Sequence, residues 1–241
     1  MGSSSITVLD CTLRDGGYVN SFKFGRSAIS RIVAGLVDAK ADYIEVGFLG
    51  DGAADPDYSL FGSDTMIDEV LPADLGSSVI TAMIAVDNIE LDPQTLRNAS
   101  DSNLGFIRIT FHGEPAEIAK AIDIARVCIA KGYKVSMQPV GTAGYSDEVL
   151  LDIISQVNEL RPFSFYIVDT LGELYGHELL RLLHLFDHNL DPSIALGFHA
   201  HNNLQLALSN AIVVTDFAPK SRGREFILDA TVFGMGRGAG N

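Results

Sequence analysis

At 241 residues and 47% hydrophobic content, the chain can bury a substantial core and has the size of one large domain or two small ones. Its 17 basic and 31 acidic residues leave a net charge of −14 without any basic cluster, which argues against nucleic acid and anionic membrane as partners. No apolar run approaches the roughly 20 residues of a membrane span, residues 1–5 carry no signal core, and Cys11 and Cys128 lack metal-ligand spacing, so the expectation is a cytoplasmic protein without a disulfide frame.

The first apolar run, residues 7–11, leads into Thr12-Leu13-Arg14-Asp15-Gly16-Gly17. A helical period follows over residues 27–38, with Ala28, Ile29, Ile32, Val33 and Leu36 on one face. A second strand at 43–47 carries Glu45. The loop 50–57 is rich in acid and glycine, lacks a full calcium-loop ligand set, and reads as a flap beside the mouth of the fold. Short helical patterns at 66–71 and 91–99 flank a third strand at 79–86. The fourth strand, 106–111, ends near His112, and Pro115 is placed to open a helix through 131. The fifth strand, 134–139, offers Gln138; Ser146 is placed to cap a helix over 147–160. The sixth, 164–169, ends in Asp169 and Thr170, with a helix at 175–186 beyond it. His184 and His188 lie opposite Leu179, Leu182, Leu183 and Phe186, on the face expected to be solvated. The seventh strand, 195–200, carries His199 and leads into His201; a helix at 204–214 and an eighth strand at 226–232 precede the glycine-rich residues 234–241.

Strands recurring about every thirty residues, alternating with helices, specify βαβ units and a parallel sheet. Apolar runs in place of strict alternation suit strands buried on both faces. The predicted fold is an α/β (β/α)₈ TIM barrel lacking its last outer helix, because the sequence reaches Asn241 directly after the glycine loop. One catalytic domain over residues 1–241, truncated at its C-terminus, is the expected organisation.

In such barrels polar residues at the C-terminal strand ends form the site. His199 and His201, at i and i+2, point to one face of a strand. With Asp15 they make a two-histidine, one-carboxylate set that leaves positions open on a divalent ion. Arg14 could stabilise negative charge developing on an oxygen held there. Glu45, expected to be buried, would orient a metal-bound water or ligand. The glycine loop could cradle an anion through its N–H groups, but its spacing does not fit a dinucleotide site.

Residues 12–16 (Thr-Leu-Arg-Asp-Gly), 44–47 (Ile-Glu-Val-Gly), 169–172 (Asp-Thr-Leu-Gly), 199–203 (His-Ala-His-Asn-Asn) and 234–241 (Gly-Met-Gly-Arg-Gly-Ala-Gly-Asn) occur in that order. Together they resemble the metal-dependent aldolase and acyl-transferase barrels (the DRE-TIM metallolyases). That superfamily includes 4-hydroxy-2-oxovalerate aldolase, isopropylmalate and homocitrate synthases, hydroxymethylglutaryl-CoA lyase and the carboxyltransferase domain of pyruvate carboxylase. The resemblance implies a divalent ion, magnesium or manganese before zinc or cobalt, on Asp15, His199 and His201, with Arg14 steadying an enolate. From the lyase branch it implies Asn241 as a further ligand.

Loop 234–241 is closest to the oxovalerate aldolase pattern and lacks the cysteine of the hydroxymethylglutaryl-CoA lyases. Tyr18 stands where the oxovalerate aldolases carry a histidine base and the synthases a glutamine; an ordinary phenol, with a pKa near 10, is a weak base, which leaves it as a proton donor or a relay through water. The resemblance therefore implies an aldolase-type lyase acting on a small 2-oxo acid through a pyruvate enolate. The alternatives are a Claisen-type acyl-CoA transferase or lyase, and a barrel that binds metal and ligand without turnover inside a larger enzyme. A homo-oligomer or a partner enzyme domain is the expected association.

Overall fold

A computed structural model describes residues 5–50, 55–87 and 91–241. The chain runs through β1 (Ile6–Asp10), α1 (Thr12–Asp15), α2 (Gly17–Asn20), α3 (Arg26–Asp38), β2 (Tyr43–Leu49), β3 (Leu60–Phe61), α4 (Asp64–Asp68) and β4 (Val79–Ala85). It continues through β5 (Leu104–Phe111), α5 (Pro115–Ala130), β6 (Lys134–Pro139), α6 (Asp147–Leu160), β7 (Ser164–Asp169), α7 (Gly176–Asn189), β8 (Ala195–Ala200), α8 (Ala207–Phe217) and β9 (Phe226–Ala230). All the strand pairings are parallel, and β1 bonds both β2 and β9, which closes the sheet into an eight-stranded (β/α) barrel with the two-residue β3 attached to β2.

Local chemistry explains the helices. α5 opens on Pro115, whose missing N–H is no loss in a first turn, and buries Ile118, Ala121, Ile122 and Ala125. Ser146 caps α6 by accepting from the Val149 N–H at 3.3 Å. α7 begins with Glu178 accepting from the Tyr175 N–H at 3.0 Å. The pattern at 91–99 does not become a helix. Asp92 caps a single 3₁₀ turn, Pro93–Thr95, and Leu96 returns to extended backbone; a second 3₁₀ turn follows at Ala99–Asp101. The helix expected at 66–71 lies earlier, at Asp64–Asp68. Of the expected flap at 50–57, residues 51–54 lie outside the described residues; Asp57 accepts from the Arg26 N–H at 2.9 Å at the start of α3.

Strand side chains alternate between two environments. Outward ones such as Ile44, Ile107, Phe165 and Leu196 pack beneath the helices. The interior is layered. Tyr43, Phe106 and Phe163 plug its N-terminal end edge-to-face, with the Lys134 ammonium 4.2 Å from the Phe163 ring centroid. Above them lies a charged layer of Glu45, Arg108 and Asp229 beside Tyr166. Among the described residues only a 3₁₀ turn (Val232–Gly234) and no α-helix follows β9, and on β1 Ile6 (37%) and Val8 (43%) stay exposed on the outside.

Candidate metal centre at the barrel mouth

The turn after β1 is built by side chain–backbone bonds. Asp10 accepts from the Thr12 N–H at 2.9 Å and from the Thr12 hydroxyl at 3.0 Å, and this winds the chain into α1. Gly47 allows Ser59 to approach β2 closely: a Cβ at position 47 would stand 2.0 Å from the Ser59 carbonyl oxygen. The Ser59 hydroxyl then donates to the Leu13 carbonyl at 2.7 Å, fixing the turn that carries Arg14 and Asp15.

Asp15 from this turn and His199 and His201 from β8 meet at the mouth. One ligand atom from each lies within 4.8 Å of the others, and all three residues are buried. Burial pushes the Asp15 carboxyl up, but Arg14 and both imidazoles outweigh it and hold the group at about 2. Burial and the neighbouring His199 bring His201 down to about 4, so its imidazole is neutral and free to ligate. Its Nδ1 is buried, 3.8 Å from Asp15 Oδ2, and has no hydrogen-bond partner among the described residues. The Asn241 Oδ1 is likewise buried without a partner. A Cβ on Gly236 would sit 2.6 Å from both this oxygen and Asp15 Oδ2, so the amide lies alongside the carboxylate. Unpartnered, buried lone pairs beside an ionised carboxylate are the donor set a divalent cation takes.

Arg14 is clamped from two sides: Nη1 donates to Asp15 Oδ1 at 2.7 Å, Nε to Glu45 Oε2 at 2.8 Å. Its Nη2 makes no hydrogen bond to the protein among the described residues, and Arg14 lines the cavity. Glu45 is fully buried and does not line that cavity. Its Oε2 takes both Arg14 and Arg108, so it orients the arginine beside the candidate ligands, while its buried Oε1 has no hydrogen-bond partner among the described residues. The cavity holds about 380 Å³, with Arg14, Asp15, Asp87 and Arg237 supplying charge, His199 and His201 imidazole nitrogens, and Phe22, Phe48, Leu60 and Met83 an apolar wall. Tyr18 lies at its rim, 47% exposed, edge-on to Phe22 and beneath the Arg237 guanidinium. Burial raises its phenol above the usual value, against the pull of Arg14 and Arg237.

The other strand-end candidates divide. His112 and Thr170 line the cavity, with His112 bound to Glu117 at 3.1 Å. Gln138 also reaches it, but its amide is engaged by Arg108 and Ser136. Asp169 instead accepts from the Glu173 and Leu174 N–H groups and shapes the loop after β7. His184 and His188 are exposed on α7, as their spacing predicted. Sequence reading missed Arg108, Tyr166 and Asp229. The signal for two of them was present: a lone charge inside a run such as Phe-Ile-Arg-Ile-Thr can only face the barrel interior.

The description HMGL-like belongs to the family model that matches residues 97–241, more than half of the chain. The chain is a member of the HMGL-like family. It is 30% identical over 242 residues to the oxaloacetate decarboxylase of Mycobacterium tuberculosis, covering 97% of this chain and 66% of that protein. It is 28% identical over 252 residues to the 4-hydroxy-2-oxovalerate aldolase of Moorella thermoacetica, covering 100% and 68%. The crystallised N-terminal domain of a candidate aldolase from Bacteroides vulgatus superposes with a TM-score of 0.73 at 28% identity, over 98% of this chain and 75% of that one. The HMGL-like chain thus spans about two thirds of the length of the curated relatives it matches. Among its described residues no helix is long and apolar enough to cross a membrane.

Proposed function

We propose that this HMGL-like chain is a divalent-metal-dependent lyase of aldolase type that cleaves or forms a C–C bond of a small 2-oxo acid through a pyruvate-type enolate. The observation that carries the reading is the convergence of Asp15, His199 and His201 beside the unpartnered oxygen of Asn241, with Arg14 in the same cavity. Asp15, His199, His201 and Asn241 would hold the cation; carboxylate and amide oxygens favour magnesium or manganese, and the imidazoles admit zinc or cobalt. When bound, the cation polarises the 2-oxo group and stabilises the enolate that forms from it. Arg14 adds positive charge to the same oxygen from a guanidinium that Glu45 and Asp15 prevent from swinging away. Burial holds the Tyr18 phenol above its usual value, which suits a donor of a proton to the enolate carbon better than a base that takes one from a 4-hydroxyl.

That last observation favours a second reading, decarboxylation of a 2-oxo dicarboxylate. There the bond to the departing carboxyl breaks, its electron pair enters the enolate, CO₂ leaves, and a phenol returns one proton to carbon. No hydroxyl has to be deprotonated. The M. tuberculosis relative, an oxaloacetate decarboxylase, supports including this reaction in the test.

The deciding experiment measures pyruvate release from 4-hydroxy-2-oxovalerate and from oxaloacetate with Mn²⁺ or Mg²⁺ added. Asp15→Ala and His199→Ala should each lower turnover on the order of 10²-fold or more. Unchanged turnover in both variants removes the scheme. Thiol release from an acyl-CoA would instead support the Claisen reaction, and metal binding without turnover on any substrate a binding barrel. The free, buried Cys11 and Cys128 support a reducing, cytoplasmic location. The exposed outer side of β1 supports burial against further protein, as a homo-oligomer or a partner enzyme domain.

A further inference from the structure

Behind the mouth, one aspartate connects a candidate ligand to the barrel's charged layer. Asp229 on β9 faces inward with its side chain fully buried. Its Oδ2 accepts from His199 Nδ1 at 2.8 Å and from Arg108 Nη2; its Oδ1 accepts from the Tyr166 hydroxyl at 3.0 Å. Arg108, itself fully buried, lies 4.8 Å over the Tyr166 ring and also donates to Glu45 Oε2 at 2.9 Å. Glu45 holds Arg14, and Arg14 holds Asp15. Two candidate ligands, His199 and Asp15, are therefore joined from behind by one line of alternating charge.

An imidazole that gives its Nδ1 proton to a carboxylate must carry its lone pair on Nε2. A carboxylate can impose that choice only if it cannot turn away. Here a guanidinium and a phenol hold the same group. His201 is supported differently: its Nδ1 has no partner among the described residues, and its backbone N–H donates to the Asp169 carbonyl at 3.2 Å. Cys11, His199 and Asp229 also lie within 4.8 Å of one another, but the Asp229 oxygens are taken by Arg108, His199 and Tyr166, and the Cys11 thiol donates to the Ala230 carbonyl at 3.4 Å. That trio supports the centre from behind and is not a second ligand set.

We propose that Asp229 is a positioning residue of the metal centre, fixing His199 as the Nδ1–H tautomer so that Nε2 is the nitrogen offered to the cation, with Arg108 and Tyr166 holding the carboxylate in place. The proposal rests on the metal-centre reading given above. A carboxylate behind a ligating histidine contributes about 10- to 100-fold in metal affinity.

The test uses the whole chain labelled with ¹⁵N-histidine, metal-free at neutral pH, where two-bond ¹⁵N–¹H correlations report which His199 nitrogen carries the proton. Wild type should show the proton on Nδ1, and Tyr166→Phe, which removes one of the two groups holding the carboxylate, should weaken that preference. In Asp229→Asn the preference should fall away, and Mn²⁺ affinity read by electron paramagnetic resonance should drop about 10- to 100-fold, with turnover recovering at high Mn²⁺. A wild-type His199 proton on Nε2, or a folded Asp229→Asn protein that binds Mn²⁺ like wild type, overturns the proposal. The wild-type spectrum needs no variant, so an Asp229 variant that fails to fold leaves the proposal open to refutation. Failure of wild type to bind Mn²⁺ overturns the metal reading itself; a wrong tautomer in protein that binds Mn²⁺ overturns only the role of Asp229.

Discussion

Arg108 and Arg224 are both out of reach of water, Arg108 inside the barrel under the mouth and Arg224 just before β9 at the opposite end. Arg224 is saturated mainly by backbone. It donates to the carbonyls of Asp187, Leu190, Asp191 and Ile194 and to the Asp187 carboxylate at 2.7 Å, tying the end of α7 to the start of β8. Arg108 is held only by side chains, those of Glu45, Gln138 and Asp229, and its Nε has no partner among the described residues. One arginine closes a helix end and its influence stops there. The other is connected to groups that reach the cavity. Burial alone does not separate a structural charge from one that serves a site; the identity of its partners does.

Substitution should break this comparison or sharpen it. Arg108→Met leaves the buried Asp229 carboxylate without its guanidinium and Glu45 with Arg14 alone, and unfolding in urea should show a loss of about 4–5 kcal/mol together with loss of turnover. Arg224→Met should cost about 3 kcal/mol by the same measurement, while the folded protein binds Mn²⁺ within about twofold of wild type. Equal effects of the two changes on Mn²⁺ affinity would abolish the distinction.

Tyr18→Phe lies outside both networks. It should lower turnover about 10²-fold and leave urea stability within about 0.5 kcal/mol. The smallest effect concerns Asp10 beneath the turn of α1. Burial raises its carboxyl from 3.8 to about 6, so the folded chain holds that proton more tightly than the unfolded one. Stability from this group is complete below about pH 4 and is lost as the pH rises through about 6. Asp10→Asn should remove a pH-dependent component on the order of 2 kcal/mol from urea melts across that window.

The barrel was legible because each strand is an apolar run buried on both faces and each helix carries an apolar stripe. It failed at 91–99, where Asp92 and Pro93 write the opening of a helix but nothing on the following residues pays for continuing it. The ligand candidates were legible because they stand at strand ends in recognisable strings. Their support was not. Arg108 on β5, Tyr166 on β7 and Asp229 on β9 lie far apart in the sequence, and only the closed barrel sets them side by side. Glu45 was correctly expected to be buried, but which group it holds depends on Arg108, which no spacing within the sequence connects to it.

The candidate ligands also straddle the line where the barrel closes. Asp15 follows the first strand, Asn241 comes after the last, and β8 lies next to that last strand. The Asn241 amide even reaches back to Cys11 at 3.4 Å. Such a nest exists only once β1 and β9 have met. A barrel from which β9 has peeled away would have no such ligand set, so cation uptake would report closure of the ring, and an ion seated there would act as a clasp across its join.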